Sequence, residues 1–116
     1  MNTVLNGYVA QLVIGHHVSF AQNVNVMVDS GPNASEAMQE VFPLRHGSVR
    51  IGNHCRIGAS VIIMPNVTLG NFCVIVANSF VNKSFPAYSI IGGMPANLIR
   101  MMTQEEIEKI NKSKKI

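Results

Sequence analysis

Residues 51–81 read IGNHCRIGASVIIMPNVTLGNFCVIVANSFV, and an aliphatic side chain returns at every sixth position: Ile51, Ile57, Ile63, Leu69, Ile75 and Val81. Glycine follows three of them, as Gly52, Gly58 and Gly70. The position four after each aliphatic holds Cys55, Val61, Val67, Cys73, Ser79 and Phe85. Upstream, Ile14, Phe20 and Val26 keep the same spacing, with Val18 and Val24 at the fourth position. A period of six fits neither an α-helix nor a simple alternating strand. It fits a solenoid with short flat faces, each hexad supplying one strand and one corner. The aliphatic points inward, and glycine or a small residue lets the chain turn tightly.

Three hexads close a triangular coil of 18 residues, and successive coils stack as parallel strands roughly 4.8 Å apart. This predicts Ile51 beneath Leu69, Ile57 beneath Ile75, and Cys55 beneath Cys73. One coil rise lies within the Cα range of a disulfide. Stacked side chains point the same way, however, so two small buried thiols are expected rather than a bridge. The period gives a parallel β-helix and leaves its hand open, and the general crossover rule alone favours right-handed connections.

The pattern fails between Ser30 and Ser48. Gly31-Pro32-Asn33 signals a turn, and Pro43 opposes regular strand pairing. A loop of this length in a solenoid is usually functional or mobile, and a disordered surface loop is the alternative. After Val81 the hexads are expected to end. Gly92-Gly93-Met94-Pro95 reads as a turn, and Thr103 with Glu106 is a capping box opening a short helix. Ile107 and Ile110 give that helix an apolar edge, and it is expected to cover the last coil. The resulting division is a β-helix domain over 1–100 with an inserted loop at 30–48, then a C-terminal helix and basic tail over 101–116.

The chain has 116 residues, 47% of them hydrophobic and 13% charged, which excludes disorder and suits one domain. A chain this short buries only about two-thirds of its unfolded surface, so self-association is expected. The net charge of +3 has a local source in Lys109, Lys112, Lys114 and Lys115, which read as a solvated basic tail. With no tryptophan and few aromatics, a base-stacking surface is not expected. No apolar run approaches the roughly 18 residues of a membrane span, and Met1–Gly15 lacks the pattern of a signal peptide. The expected location is cytoplasmic, with reduced thiols.

Several ordered motifs resemble the hexapeptide-repeat acyltransferases, especially the sugar O-acetyltransferases and the xenobiotic acetyltransferases. They are I-G-x-x-x-x-I-G-A at Ile51–Ala59, I-x-P-x-V-x-x-G at Ile63–Gly70 and V-A-N-S at Val76–Ser79. P-x-Y-S at Pro86–Ser89 and G-G-x-P-A-x-x-I-R at Gly92–Arg100 complete the set, and residues 13–28 resemble the preceding coil. The resemblance implies a left-handed parallel β-helix, a homotrimer, and acetyl-CoA as acyl donor in a groove shared between subunits. It implies cofactor contacts at Ala59, Ala77 and Asn78, where small corners admit the pantetheine arm. Lys83 and Arg100 match the cations that meet the phosphate end. For the alanines, tight corner packing is the alternative; for the two cations, ordinary solvation.

The family uses a histidine as general base, which takes the acceptor's hydroxyl proton as the oxygen attacks the thioester. The corresponding position falls at Ser30, Gly31 or Asn33, none of which is a base at neutral pH. His46, at the end of the same loop, is the candidate substitute. His16, His17 and His54 fall at corners, where exposure or hydrogen bonding is expected. The histidine spacing matches no zinc pattern, so no metal is expected. Two functions remain. One is an acetyl-CoA-dependent O-acetyltransferase acting on a saccharide or other small hydroxyl compound. The other is a catalytically inactive trimeric β-helix that binds a partner or ligand.

Overall fold

The computed structural model describes residues 3–6, 10–30, 35–41, 43 and 45–113. In chain order, β1 (Thr3–Asn6) pairs antiparallel with β2 (Gln11–Ile14), and β2, β3 (Ser19–Phe20) and β4 (Asn25–Val26) form the first coil. An inserted arm follows, made of β5 (Asp29–Ser30), α1 (Glu36–Val41) and β6 (Arg45–His46). The coil resumes with β7 (Val49–Ile51), β8 (Arg56–Ile57), β9 (Ile62–Ile63), β10 (Thr68–Leu69), β11 (Val74–Ile75) and β12 (Phe80–Val81). It ends in the hairpin of β13 (Ser89–Gly93) and β14 (Ala96–Met101), then α2 (Gln104–Ser113).

Apart from the antiparallel β5-β6 pair of the arm, the strands fall into three faces. One carries β1-β2-β7-β10, the second β14-β13-β11-β8-β3, and the third β12-β9-β4. Leu69 pairs with Ile51, Ile75 with Ile57 and Val81 with Ile63, all in parallel register. That is the stacking required by an 18-residue coil. The first coil joins the same register across the insertion, with Ile14 on Ile51, Phe20 on Ile57 and Val26 on Ile63. The arm therefore leaves the coil at one corner and returns to it without disturbing the strand alignment.

Both inward positions of the hexad form the core. Ile57, Ile63, Leu69, Ile75 and Val81 are essentially inaccessible, and so are Cys55, Val61, Val67, Cys73 and Ser79 at the fourth position. Burying each large aliphatic contributes roughly 1.5–3 kcal/mol. Cys55 and Cys73 are free, as expected. Each thiol donates to a backbone carbonyl, Cys55 to Gly70 O and Cys73 to Pro86 O, both at 3.2 Å. The adjacent Cys73 thiol and burial push the Cys55 thiol well above its ordinary range.

The corners have one recurrent conformation. His17, Asn23, His54, Ser60, Asn66, Phe72, Asn78 and Tyr88 all have left-handed φ between 56 and 67°. Six of them stand three residues after an aliphatic of the repeat, and Asn23 and Tyr88 stand three after Phe20 and Phe85. Asparagine and histidine tolerate this region, whereas a phenylalanine or tyrosine there costs on the order of 1 kcal/mol or more. At one corner the strain has a visible offset. His17, His54, Phe72 and Tyr88 stack as a column, with centroids 4.9, 4.8 and 5.3 Å apart.

Two expectations need correction. The hexads do not end at Val81, because the next corner is two residues shorter and the period then resumes. Phe85 sits on Leu69, rather than filling a fourth position, and Ile91 sits on Ile75. Ser89, four after Phe85, is fully buried. Nor does the terminal helix close the last coil: α2 has no buried residue. The edge of the second face is closed by β14, which pairs antiparallel with β13. The predicted capping box is present, with Thr103 N donating to Glu106 Oε1 at 2.8 Å and Glu106 N to Thr103 Oγ1 at 3.2 Å.

Candidate functional site

The second face carries a groove of about 510 Å³. Its floor comes from three stacked rungs: Ser19–Ala21, Arg56–Ala59 and Val74–Ala77. A volume of this size lies within the range of small-molecule sites. The groove exists because the residues just past the strands are small. Ala21, Gly58, Ala59 and Ala77 leave room where larger side chains would fill the corner. Gly58 is required for the stacking itself, since a Cβ there would lie 2.6 Å from Ala77 N and 2.8 Å from Ile75 O.

Of the residues singled out for the cofactor, Ala59 and Ala77 line this groove together. Asn78 adjoins it at the corner, in left-handed conformation, with its N–H donating to Ala59 O at 2.8 Å. Lys83 and Arg100 lie outside the lining and already have partners. Lys83 Nζ donates to Asn97 Oδ1 at 2.7 Å and stands 5.7 Å above the Phe85 ring. Arg100 makes a two-pronged ion pair with Glu106, at 2.7 and 3.1 Å. The Arg100 guanidinium holds the Glu106 carboxyl down to about 2, and Glu106 in turn raises the Arg100 value. Both groups are exposed, so a competing anion meets little resistance from packing.

Arg56 is the charged lining residue, and sequence reasoning missed it. It projects outward from β8 between Ser19 and Val74, in register with both. Its signal was available: it occupies the outward place just before the aliphatic of its hexad. On the other faces and rungs the same place holds Arg50, Ile62, Thr68, Val74 and Phe80.

The loop candidates are placed only in part. Ser30 lies on β5 and His46 on β6, where Asp29 pairs with His46 and Ser30 with Arg45 in antiparallel register. Gly31 and Asn33 fall outside the described residues. The break in the repeat is thus an arm with its own strand pair and a short helix, which the turn signals alone did not reveal. His17 and His54 occupy corners as expected, stacked in parallel rather than converging on a point. His16 N donates to Asn53 Oδ1 at 2.7 Å. Among the described residues no group of three or more His, Cys, Asp or Glu is placed to hold a metal ion. No helix among them is long and apolar enough to cross a membrane.

Comparison with known proteins agrees with this geometry. Residues 48–83 match the family model described as bacterial transferase hexapeptide (six repeats). Galactoside O-acetyltransferase of Escherichia coli K12 is 32% identical over 104 residues, covering 90% of this chain and 50% of that protein. Chloramphenicol acetyltransferase of Morganella morganii is 40% identical over 62 residues, covering 53% of this chain and 30% of that protein. A solved galactoside acetyltransferase in complex with coenzyme A superposes with a TM-score of 0.70 at 30% identity, covering 83% of this chain and 48% of that one. The chain thus spans about half or less of the length of these relatives. The hand of the coil is left, as in these acetyltransferases.

Proposed function

From a coil built of bacterial transferase hexapeptide repeats, we propose an acetyl-CoA-dependent O-acetyltransferase acting on a saccharide or other small hydroxyl compound. The observation that carries this reading is the groove in which Ala59 and Ala77 meet on adjacent rungs. A solved relative of the same fold binds coenzyme A. An extended pantetheine arm suits a floor of exposed backbone and small side chains, because its amides need donors and acceptors at strand spacing. Ala59, Ala77 and Asn78 are its contacts in this reading. Lys83 and Arg100 receive the phosphate end once Asn97 and Glu106 yield to the stronger anion.

The chemistry is acyl transfer. The acceptor hydroxyl oxygen attacks the thioester carbonyl, the new C–O bond forms and the C–S bond breaks. The hydroxyl proton passes to a general base, and the sulfur leaves as the thiol of CoA. His46 is the base in this proposal, since Ser30, Gly31 and Asn33 offer no group that ionises near neutrality. The working unit is a cytoplasmic homotrimer with the groove at the junction of subunits. Exposed Leu98, Ile99 and Met101 on β14 offer apolar surface for such a junction.

Acetyl-CoA is expected to raise the melting temperature, and no shift at millimolar ligand would remove the cofactor reading. Release of free CoA in the presence of galactose and related sugars tests turnover. His46→Ala is expected to suppress that release, whereas unchanged release excludes His46 as the base. Sedimentation should give about three times the 12.6 kDa chain mass, and a monomer would sink the trimer. One observation favours the second reading, a non-catalytic trimeric β-helix: Val28–Asn33 contains no histidine. Acetyl-CoA binding without CoA release over the whole sugar panel would select it.

A further inference from the structure

Charge is divided unequally between the coil and its appendages. All six carboxylate side chains lie in the arm, as Asp29, Glu36 and Glu40, or in the terminal helix, as Glu105, Glu106 and Glu108. Residues 1–28 and 41–104 contain neither Asp nor Glu. The coil therefore has cations and no carboxylate of its own to neutralise them. Lys83 and Arg100 are engaged by Asn97 and Glu106. The Arg56 backbone N–H donates to Cys73 O at 2.9 Å, but its guanidinium, in the groove, has no hydrogen-bond or ion-pair partner among the described residues. It is exposed on its outward side, while Val74 and Val76 give the groove an apolar wall.

Position along the coil says which anion Arg56 can meet. The outward column of the second face runs Ser19, Arg56, Val74, Ile90, Arg100 in continuous register. Arg56 is thus three strand spacings from Arg100, roughly 14 Å along the coil axis. An anion seated at Lys83 and Arg100 does not reach it. Val74 and Ile90 between the two arginines offer apolar contact and no charge. Ser19, one rung beyond Arg56, adds a hydroxyl to the same column.

We propose that Arg56 selects an anionic acceptor, a small hydroxyl compound carrying a carboxylate or a phosphate that seats on its guanidinium at the Ser19 end of the groove. This rests on the acetyltransferase reading and narrows it. A planar guanidinium takes either anion through two parallel hydrogen bonds, and a neutral sugar leaves that cation unmatched.

The test compares galactose, galacturonate and galactose 6-phosphate as acceptors, by CoA release, in the wild-type protein, Arg56→Gln and Arg56→Lys. At least one anionic acceptor is expected to exceed galactose by about tenfold or more in kcat/KM, the size of a charged hydrogen bond. Which of the two it is separates a sugar acid from a sugar phosphate. Arg56→Gln is expected to abolish the preference by raising KM for the anion, and Arg56→Lys to keep part of it. Equal rates for all three compounds overturn the proposal. So does an Arg56→Gln effect confined to KM for acetyl-CoA, which would assign the arginine to the cofactor. Failure of the acetyltransferase reading looks different, as no acetyl-CoA shift in melting temperature and no CoA release. The anion site is then read by NMR titration with the same three compounds. Shifts specific to the anions and lost in Arg56→Gln sustain it, and their absence overturns it.

Discussion

The coil from Val49 to Ile91 and its two appendages, the arm and the terminal helix, are held by different physics. In the coil each strand repeats the contacts of the strand below, and nearly every inward side chain is inaccessible. Neither α1 nor α2 has a buried residue. The terminal helix is tied down by its capping box and by Arg100–Glu106, and the arm returns through Gly47 N donating to Val28 O at 2.9 Å. A repeated core tolerates little change at any rung. Elements held by exposed polar contacts can move or be displaced, and here they also carry every carboxylate of the chain. Stability is concentrated in one region and adjustable charge in the other.

The largest effect is expected from breaking the coil at its centre. Ile57→Ala empties a position stacked between Phe20 and Ile75 and should cost about 2–5 kcal/mol, read from denaturant unfolding. Gly58→Val forces side-chain atoms against the Ala77 backbone and should cost about 1–3 kcal/mol or more. It should also abolish any acetyl-CoA-induced shift, because the same corner lines the groove. His54→Asn keeps a residue suited to left-handed φ but removes two ring contacts. A loss of about 1–2 kcal/mol is expected, and no loss would show that the ring column is incidental.

The appendages should respond on a smaller scale and to different variables. Glu106→Gln is expected to leave the coil's melting temperature within about a degree while hydrogen exchange quickens across α2. The pH dependence has a definite sign. The Glu106 carboxyl is lowered from 4.5 to about 2 in the folded protein, first by its hydrogen bond to Arg100 and then by the Thr103 N–H. Its contribution is present above pH 4.5 and is lost as pH falls towards 2. Exchange protection of α2 should fall over that window while the coil amides stay protected. A coil that loses protection over the same window would erase the contrast between the regions.

The six-residue period of aliphatics was enough to determine the coil, its 18-residue stacking and the burial of Cys55 and Cys73. Each hexad makes the same local choice, so a single chain reveals it. The capping box was equally legible, being a contact between residues three apart. The period could not determine what depends on a missing or extra residue. The shortened corner after Val81 places Phe85 on Leu69 only because strand pairing resumes there, and the composition of that stretch looks like an exit from the coil. Closure by β14 rather than α2 depends on backbone pairing that the Gly92–Arg100 motif does not announce. Arg56 is one outward residue among several in sequence. Only the stacking of three rungs, with small residues at each corner, places it in a groove without a carboxylate in register beside it.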